Sequence, residues 1–412
     1  MKTILVVDPA PSKRDYIIEG LKKLGIRTIG LTPINSCSGF VLCDYKIVRD
    51  FSDVTNIMQD LEKMPKVDGV ICFHQAAITF ANKLCYELNL PMIWADKELD
   101  LANKISVNKK WEEAGLRVPK SYVYEKLTCE KLEFPVVVKP ANLQGSIGVK
   151  ECSSMEEVLE WGEFIKDIRL PFEVDGKMWD MVDLYHSDRT PFIQEKIVSS
   201  SPWEYENSVE MIVQNGSVKI INFIDKNCIK NEKYFLESLF IYPAISNISQ
   251  FSDDLIKYVS ALNIQNSIVH LEFKVDDKGV VPIELNCRVI GEPMARLLYN
   301  FESLDLSKVL YQVATKESVN LNKLSDDQKW CGFSFVHPSS LMMNSYKVFN
   351  GVKFKAFKGV EVQFFAGFKT GEKIIYDKAM HSLPLGYFQF QSENRDDIIY
   401  FKNNFLDTIT FE

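Results

Sequence analysis

The first hundred residues alternate between short apolar runs and segments with helical spacing. Residues 3–7 form a continuous apolar run, which is typical of a buried strand. Apolar positions at helical spacing over residues 14–24 predict an amphipathic helix that ends at Gly25. The alternation continues with predicted strands at 28–31, 69–73 and 91–94 and a predicted helix over 76–88. Strands that alternate with helices predict a parallel sheet covered on both faces, so we expect residues 1–98 to form an α/β domain.

From about residue 100 the pattern changes to one helix followed by strands and turns. The helix is predicted over 101–114 and stops before Gly115 and Pro119. Apolar and alternating runs predict strands at 135–139, 192–197, 208–213, 217–224, 267–275 and 280–286. The pair Asn215-Gly216 between two of these runs predicts a tight hairpin. The polar residues 317–328 are expected to be a connector, and the short strands and glycines of 330–412 predict a small β-rich unit.

The most informative segment is HLEFKVDDKGVVPIELNCR, residues 270–288. Apolar and polar side chains alternate in both of its predicted strands, and period two puts each set on one face of a sheet. The polar set comprises His270, Glu272 and Lys274 in the first strand and Glu284, Asn286 and Arg288 in the second.

A turn centred on Lys278 would place Glu272 directly opposite Glu284 on that polar face. Opposed like charges weaken a sheet by up to about 1 kcal/mol, and a cation between them reverses the effect. Two carboxylates and the Asn286 amide oxygen are hard ligands that suit a Mg²⁺ ion holding phosphate oxygens. Arg288, one step further on the same face, suits a phosphate or a carboxylate. The alternative is an exposed hairpin whose charges are merely solvated.

A second segment, FPVVVKPANLQGSIGV at 134–149, joins an apolar strand to a glycine loop. The strand ends in Lys139, and the loop contains Gly145 and Gly148. Backbone N–H groups of such a loop can cradle phosphate while a lysine supplies charge. Lysine often ends a strand and glycine often fills loops, so this segment alone is weak evidence for a phosphate site. It indicates one only together with the predicted metal ligands later in the chain.

A third segment, FIQEKI at 192–197, reads as a strand that runs into a connection. Backbone groups of Glu195 and Ile197 would be free there to meet an adenine edge, and Glu210 lies on the strand after the connection. Taken alone, this segment is indistinguishable from an ordinary core strand.

Composition narrows the classes of function. The 412 residues are 46% hydrophobic and 25% charged, which is an ordinary globular mixture. The net charge of −8, without a basic tract, disfavours binding to nucleic acid or to an anionic membrane through bulk charge. No stretch approaches the roughly 20 apolar residues that span a bilayer. Nine cysteines without a CxxC pair predict neither a disulfide framework nor a zinc site, so a cytoplasmic protein is expected.

Taken in order, these segments resemble the ATP-grasp superfamily. The resemblance covers about residues 100–300 and rests on motifs that follow one another along the chain: Asn103-Lys104, Val138-Lys139-Pro140, the glycine loop, Gln194-Glu195-Lys196-Ile197, Ser208-Val209-Glu210, and Glu272 followed by Glu284-x-Asn286-x-Arg288. It implies a pre-ATP-grasp domain over 1–98, an ATP-grasp domain over 99–316 with a lid at about 116–195, and a C-terminal β-rich subdomain over 317–412.

The resemblance also implies roles for individual residues. Phosphates of ATP would be bound by Lys104, Lys139 and the loop residues Gly145, Ser146 and Gly148. Glu195 and Ile197 would frame the adenine, and Glu210 would bind the ribose. One or two Mg²⁺ ions, with Mn²⁺ as the alternative metal, would be held by Glu272, Glu284 and Asn286. Arg288, assisted by Glu284 and Asn286, would stabilise an acyl-phosphate.

Most relatives join a carboxylate to an amine, and within the superfamily the chain looks closest to the L-amino-acid ligases. Asp225-Lys226, the run 234–237 and the pair His270-x-Glu272 support that comparison, so Glu237 and His270 become candidate substrate residues. Relatives usually place Gly-His where this chain has Leu239-Phe240, and Gly-Gly soon after the arginine where it has Gly291-Glu292. Glu292 would therefore pair with a substrate ammonium group, or it is only an acid that favours a helix N-terminus.

Two other functions remain open at this level. One is an ATP-grasp enzyme with a different acceptor, such as a carboxylase or a phosphoryl-transfer enzyme. The other is a nucleotide-binding module without catalysis, which is disfavoured because every expected charged position is filled. The expected partners are small carboxylate and amine substrates, and a homodimer is common among enzymes of this size.

Overall fold

The computed structural model describes most of the chain. The described residues are 1–9, 14–35, 38–127, 132–174, 176–200, 206–228, 235, 237–321, 329–337, 348–373 and 385–411. No helix within these ranges is long and apolar enough to cross a lipid bilayer.

The N-terminal region contains a four-stranded parallel sheet with helices on both sides. Its strands are β1 (Thr3–Val7), β2 (Arg27–Thr32), β3 (Tyr45–Val48) and β4 (Gly69–Cys72), in the spatial order β3-β2-β1-β4. Its helices are α1 (Asp15–Lys23), α2 (Ser38–Leu42), α3 (Val54–Glu62) and α4 (Ile78–Glu87). β1 is buried along its whole length because it lies between two neighbours and under helices on both faces.

A second, smaller sheet follows α5 (Lys104–Glu113), whose first turn is capped by the Asn103 side chain. Its strands are β5 (Ser121–Val123), β6 (Val136–Pro140), β7 (Lys150–Cys152) and β10 (Pro191–Glu195), in the order β5-β10-β6-β7. The helix α6 (Met155–Lys166) covers one face. Between α6 and β10 lie a short hairpin of β8 (Pro171–Val174) and β9 (Lys177–Asp180) and the helix α7 (Met181–Leu184).

An eight-stranded sheet, antiparallel at each pairing, forms the centre of the molecule. Its strands are β11 (Glu206–Gln214), β12 (Ser217–Cys228), β13 (Glu237–Tyr242), β14 (Asn266–Asp276), β15 (Gly279–Asn286), β16 (Trp330–Val336), β19 (Glu361–Ala366) and β21 (Gly386–Ser392). The spatial order is β15-β14-β11-β12-β13-β16-β21-β19. Three late strands, β16, β19 and β21, therefore continue the sheet that the earlier strands begin.

The remaining elements lie around this sheet. The helices are α8 (Ser252–Ala261), α9 (Met294–Phe301), α10 (Leu306–Thr315) and α11 (Arg395–Asn404). Short strand pairs join β17 (Val348–Phe349) to β20 (Glu372–Lys373) and β18 (Val352–Lys353) to β22 (Thr410–Phe411). The mixed fold class is confirmed: a parallel N-terminal sheet, a central region that combines helices with antiparallel strands, and an antiparallel C-terminal region.

Some predicted elements differ from the observed ones. Residues 91–94 are not a strand: the structure has a single bridge there, from Trp94 to Ile264. The strand predicted over 192–197 ends at Glu195. The sequence pattern did not reveal β3, in which only Ile47 is buried, because an edge strand lacks the apolar run of the inner strands.

Candidate active site

Two adjoining cavities lie over one face of the eight-stranded sheet. The lysine cavity has a volume of about 80 Å³, and its walls include Lys104, Lys139, Gln194, Glu195, Ile197 and Glu206. The arginine cavity has a volume of about 250 Å³, and its walls include Gln144, Lys226, His270, Asn286, Arg288 and Glu292. Ser146, Glu237, Glu272 and Glu284 line both. The acidic residues thus mark the boundary between the cavities.

The hairpin of β14 and β15 brings the predicted metal ligands together. Glu272 lies directly opposite Glu284, and His270 lies opposite Asn286. The turn is one residue shorter than predicted, because Asp276 already pairs with Gly279. A bulge between Glu272 and Phe273 shifts the pairing back by one residue, so Glu272 still meets Glu284. Among the described residues, the buried Asn286 Oδ1 atom has no hydrogen-bond partner.

Lys104 and Lys139 approach this acidic pair from the smaller sheet and the helix before it. The Nζ atom of Lys104 lies 3.4 Å from Glu284 Oε1 and donates to the Leu143 carbonyl at 2.6 Å. Lys139 Nζ lies 3.5 Å from the Ile283 carbonyl. Burial, together with the nearby ammonium of Lys104, lowers the pKa of Lys139 to about 8. Two cations that repel each other in a buried wall favour an anion between them.

The glycine loop separates into a part at the cavity and a part below it. Gly145 and Ser146, both at positive φ, line the arginine cavity. Gly148 lies below, where an added Cβ atom would come within 2.7 Å of the Ile168 side chain. Gly148 therefore fits a close-packing role better than the predicted contact with phosphate.

A lysine without a predicted chemical role lies at the centre of the acidic residues. The Nζ atom of Lys226 lies 3.0 Å from Glu206, 2.6 Å from Glu237 and 2.8 Å from Glu272, and the side chain is 1% exposed. Burial alone would lower the pKa of Lys226, but the three carboxylates hold it well above its usual value. A bulge in β12, opposite the step from Glu210 to Met211 in β11, puts Lys226, and not Asp225, opposite Glu206.

Glu210 does not occupy the position that was predicted for it. The residue is fully buried, and neither cavity is lined by it. One of its oxygens accepts the Ile290 N–H at 3.1 Å and the other lies 3.1 Å from His270 Nδ1. The Glu210 carboxylate thus has both oxygens occupied inside the sheet, and its contact with a ribose stays a prediction.

His270 lies between two carboxylates. Its Nδ1 atom faces Glu210, and its Nε2 atom lies 3.2 Å from Glu272 Oε1. Burial would lower the pKa of His270, but the hydrogen bonds to both glutamates raise it. For the Glu272 carboxyl, burial alone would raise the pKa, but Lys226 and His270 hold that pKa well below its usual range. Glu272 is therefore an anion at neutral pH.

The residues expected around an adenine ring line the outer end of the lysine cavity. Glu195 Oε1 accepts the backbone N–H of Lys120 at 2.9 Å, and Ile197 is the last buried residue before the connection. The Ile197 carbonyl accepts from Lys274 Nζ at 3.3 Å. Glu206, which the sequence reasoning missed, lines the same cavity. Its position at the start of β11 was hidden because the preceding connection has no apolar pattern.

The arginine cavity is bounded by Arg288 and Glu292. Arg288 donates to the Val289 carbonyl at 2.9 Å and to Gln144 Oε1 at 3.3 Å. Glu292 accepts from the Tyr16 hydroxyl at 2.8 Å and lies 3.7 Å from Arg14 Nε. The Glu292 carboxylate thus has partners from α1 and its N-cap, and these favour neither of the two predicted roles, substrate pairing or helix-end acid, over the other.

Similarity to known proteins agrees with this arrangement. Residues 132–295 match the family described as the ATP-grasp domain. An uncharacterized protein, y4rH of Sinorhizobium fredii, is 22% identical over 78% of this chain and 65% of its own length. D-alanine–D-alanine ligase of Staphylococcus carnosus is 23% identical over 27% of this chain and 37% of its own length. The chain thus spans less than two thirds of each of these relatives.

Two solved structures share the whole architecture. L-amino acid ligase from Bacillus licheniformis superposes with a TM-score of 0.72 at 17% identity, over 100% of this chain and 98% of the ligase. The biotin carboxylase domain of 2-oxoglutarate carboxylase from Hydrogenobacter thermophilus, whose structure contains MgADP, gives a TM-score of 0.63 at 14% identity, over 100% of this chain and 90% of that one. Residues 132–295 thus match the ATP-grasp domain family, and the whole chain shares the fold of these two enzymes.

Proposed function

We propose that the chain is an ATP-dependent ligase that joins a carboxylate to an amine through an acyl-phosphate, with an amino acid as one substrate. The observation that carries the proposal is the boundary between the two cavities. Glu272 and Glu284 lie there between the lysines of one cavity and the arginine of the other. A phosphoryl group passed from a nucleotide on one side to a carboxylate on the other would cross this boundary.

The residues at the boundary fit a Mg²⁺ ion. Carboxylate and amide oxygens are the ligands that Mg²⁺ prefers, and Asn286 Oδ1 is a buried acceptor without a partner among the described residues. Glu272, Glu284 and Asn286 would hold the ion. When bound, it supplies positive charge to phosphate oxygens and orients them.

The nucleotide would occupy the lysine cavity. Lys104 and Lys139 would bind its phosphates because their ammonium groups converge beside Glu284. Backbone groups of Glu195 and Ile197 would meet the adenine, and Glu206, which lines this cavity, would bind the ribose in place of Glu210. Positioning and charge stabilisation are the main contributions that a protein makes to phosphoryl transfer.

The reacting carboxylate would occupy the arginine cavity beside Arg288. Its oxygen attacks the γ-phosphorus of ATP and ADP leaves, which gives an acyl-phosphate. The amine then attacks the acyl carbon, inorganic phosphate leaves, and the amine nitrogen loses a proton as the amide forms. Arg288 and Lys226 would stabilise the negative charge that develops on the phosphoryl and acyl oxygens.

The test is release of ADP by the purified chain with ATP, Mg²⁺ and amino acids, supplied singly and in pairs. We expect ADP only when amino acid is present, with one amide bond per ADP by mass spectrometry. Bicarbonate-dependent ADP without an amide would indicate a carboxylase. ADP with a phosphorylated acid as the end product would indicate a phosphoryl-transfer enzyme, and no ADP under any of these conditions would reject the ligase.

A further inference from the structure

The face of the central sheet that carries the ionic residues becomes aromatic at β13. Phe240 on β13 lies directly opposite Phe333 on β16, and the two rings stack with centroids 4.3 Å apart at 15°. Phe335 meets Phe333 edge-on at 4.7 Å and Phe240 edge-on at 6.1 Å. All three line the arginine cavity. The three rings, here named the aromatic wall, therefore form one side of the cavity that Arg288 bounds elsewhere.

The aromatic wall is preformed. Phe240 is 3% exposed and Phe333 is 2% exposed, so both are fixed by packing, while Phe335 is only half-buried. The ionic groups lie close by: Lys226 Nζ is 5.4 Å from the centre of the Phe240 ring. A single amino acid can therefore reach from the ionic residues to the wall.

Two polar groups in the same cavity, His337 Nε2 and the Glu292 carboxylate, already have partners. His337 Nε2 bonds to the Glu237 carbonyl at 2.7 Å, and burial lowers the pKa of His337 to about 4, so its ring is neutral at pH 7. Glu292 has Tyr16 and Arg14 beside it. A charged substrate side chain would lose its hydration here and meet apolar rings, whereas a neutral aromatic ring would gain contact with them.

We infer that one substrate of the proposed ligase is an amino acid with an aromatic side chain, which packs against the aromatic wall. The inference rests on the proposed function. Its carboxyl group would lie toward Arg288, and the ring would extend toward β13 and β16. Aromatic pairs prefer stacked and edge-on contacts, and the wall offers rings in both orientations.

The first experiment compares kcat/KM for phenylalanine with the values for alanine, glutamate and arginine in the ADP-release assay. We expect phenylalanine to exceed each of the others at least tenfold. ADP formation that favours alanine, glutamate or arginine would overturn this inference and leave the ligase standing. No ADP with any amino acid would overturn the proposed function, and this inference with it.

The second experiment uses variants of the wall with a matched control. Phe240→Leu should lower the ratio of kcat/KM for phenylalanine over alanine about threefold to tenfold, with KM for ATP unchanged. Phe335→Leu repeats the test at a half-buried position where folding is less at risk. Phe388→Leu is the control, because Phe388 pairs with Ser334 and lies on the opposite face of the same sheet.

The Phe388→Leu control distinguishes a general loss of core packing from a loss of contact between the substrate side chain and the aromatic wall. All three variants remove one ring, but only the two at the wall should change the ratio. An unchanged ratio in both wall variants, or an equal change in Phe388→Leu, would contradict the inference.

Discussion

The two halves of the cavity-lining sheet face differ in how their side chains are stabilised. On β11, β14 and β15, buried or half-buried carboxylates stand within 3.4 Å of a cation or a histidine, as Glu272 does with Lys226 of β12. On β13 and β16 the same face presents stacked phenylalanines. The ionic half is thus held by charges that depend on one another, whereas the aromatic half is held by packing. Substitutions should therefore have large, coupled effects in the ionic half and smaller, selective effects at the aromatic wall.

The largest effect is expected from Glu284→Ala. It removes an anion that faces Lys104 and Glu272 at the boundary of the two cavities. We expect ADP release to fall by about 10³-fold, as when a main electrostatic element of an active site is removed. Glu361→Ala, on an edge strand of the same sheet, is the control and should keep wild-type turnover. Retained activity in Glu284→Ala would show that the metal site has been misplaced.

Lys226→Met tests the coupling within the ionic half. The change leaves three buried or half-buried carboxylates without their common cation. We expect the free energy of unfolding to fall by about 3–5 kcal/mol in EDTA, measured by urea denaturation.

Lys110→Met is the comparison, because the Lys110–Asp96 pair lies at the surface and should contribute little. Equal stability losses in the two variants would mean that Lys226 is not the centre of the cluster.

Asp8 shows what a buried carboxyl group does without a cation. Burial raises the pKa of Asp8 to about 6, although the Tyr185 hydroxyl donates to it at 2.6 Å and opposes the shift. The folded state therefore binds a proton more tightly than the unfolded chain, so this carboxyl lowers stability as the pH rises from about 4 to 6, and the loss levels off above that range.

Asp8→Asn removes that pH-dependent cost and keeps an acceptor for Tyr185. The variant should be more stable than wild type at pH 8 by about 2 kcal/mol, with the difference shrinking toward pH 4, in urea denaturation at several pH values. A constant difference across that range would show that Asp8 does not titrate as described.

The smallest expected effect is a difference in the Kd for ATP between the variants Glu206→Gln and Glu210→Gln. Glu206 lines the lysine cavity, and Glu210 is sealed behind it. Glu206→Gln should raise the Kd for ATP about tenfold, the effect of weakening one hydrogen bond to a charged group. Glu210→Gln should leave that Kd within about twofold while lowering thermal stability. The reverse pattern, measured by calorimetry, would restore the ribose role to Glu210.

Much of the fold followed from periodicity, because buried parallel strands and alternating antiparallel strands have distinct patterns. The hairpin of β14 and β15 was predicted with Glu272 opposite Glu284, and that pairing is observed. The predicted turn was one residue too long, and the bulge compensated for it. The predicted pairing of Glu272 with Glu284 was therefore confirmed, although the prediction included neither the shorter turn nor the bulge.

Other site features depended on bulges and tertiary contacts, which no local pattern reveals. The bulge in β12 decides that Lys226 faces the cavity with Glu206. Glu210 has the same alternation as a cavity residue, yet the Ile290 backbone and His270 close over it. The aromatic wall joins strands more than 90 residues apart, so its residues looked like ordinary core.

Calorimetric titration of the wild-type chain with ATP, with and without Mg²⁺, tests the central account most directly. Because the proposed ion links Glu272, Glu284 and Asn286 to nucleotide phosphates, ATP should bind at least tenfold more tightly when Mg²⁺ is present. Equal affinity in EDTA and in Mg²⁺, or no binding in either, would contradict the account.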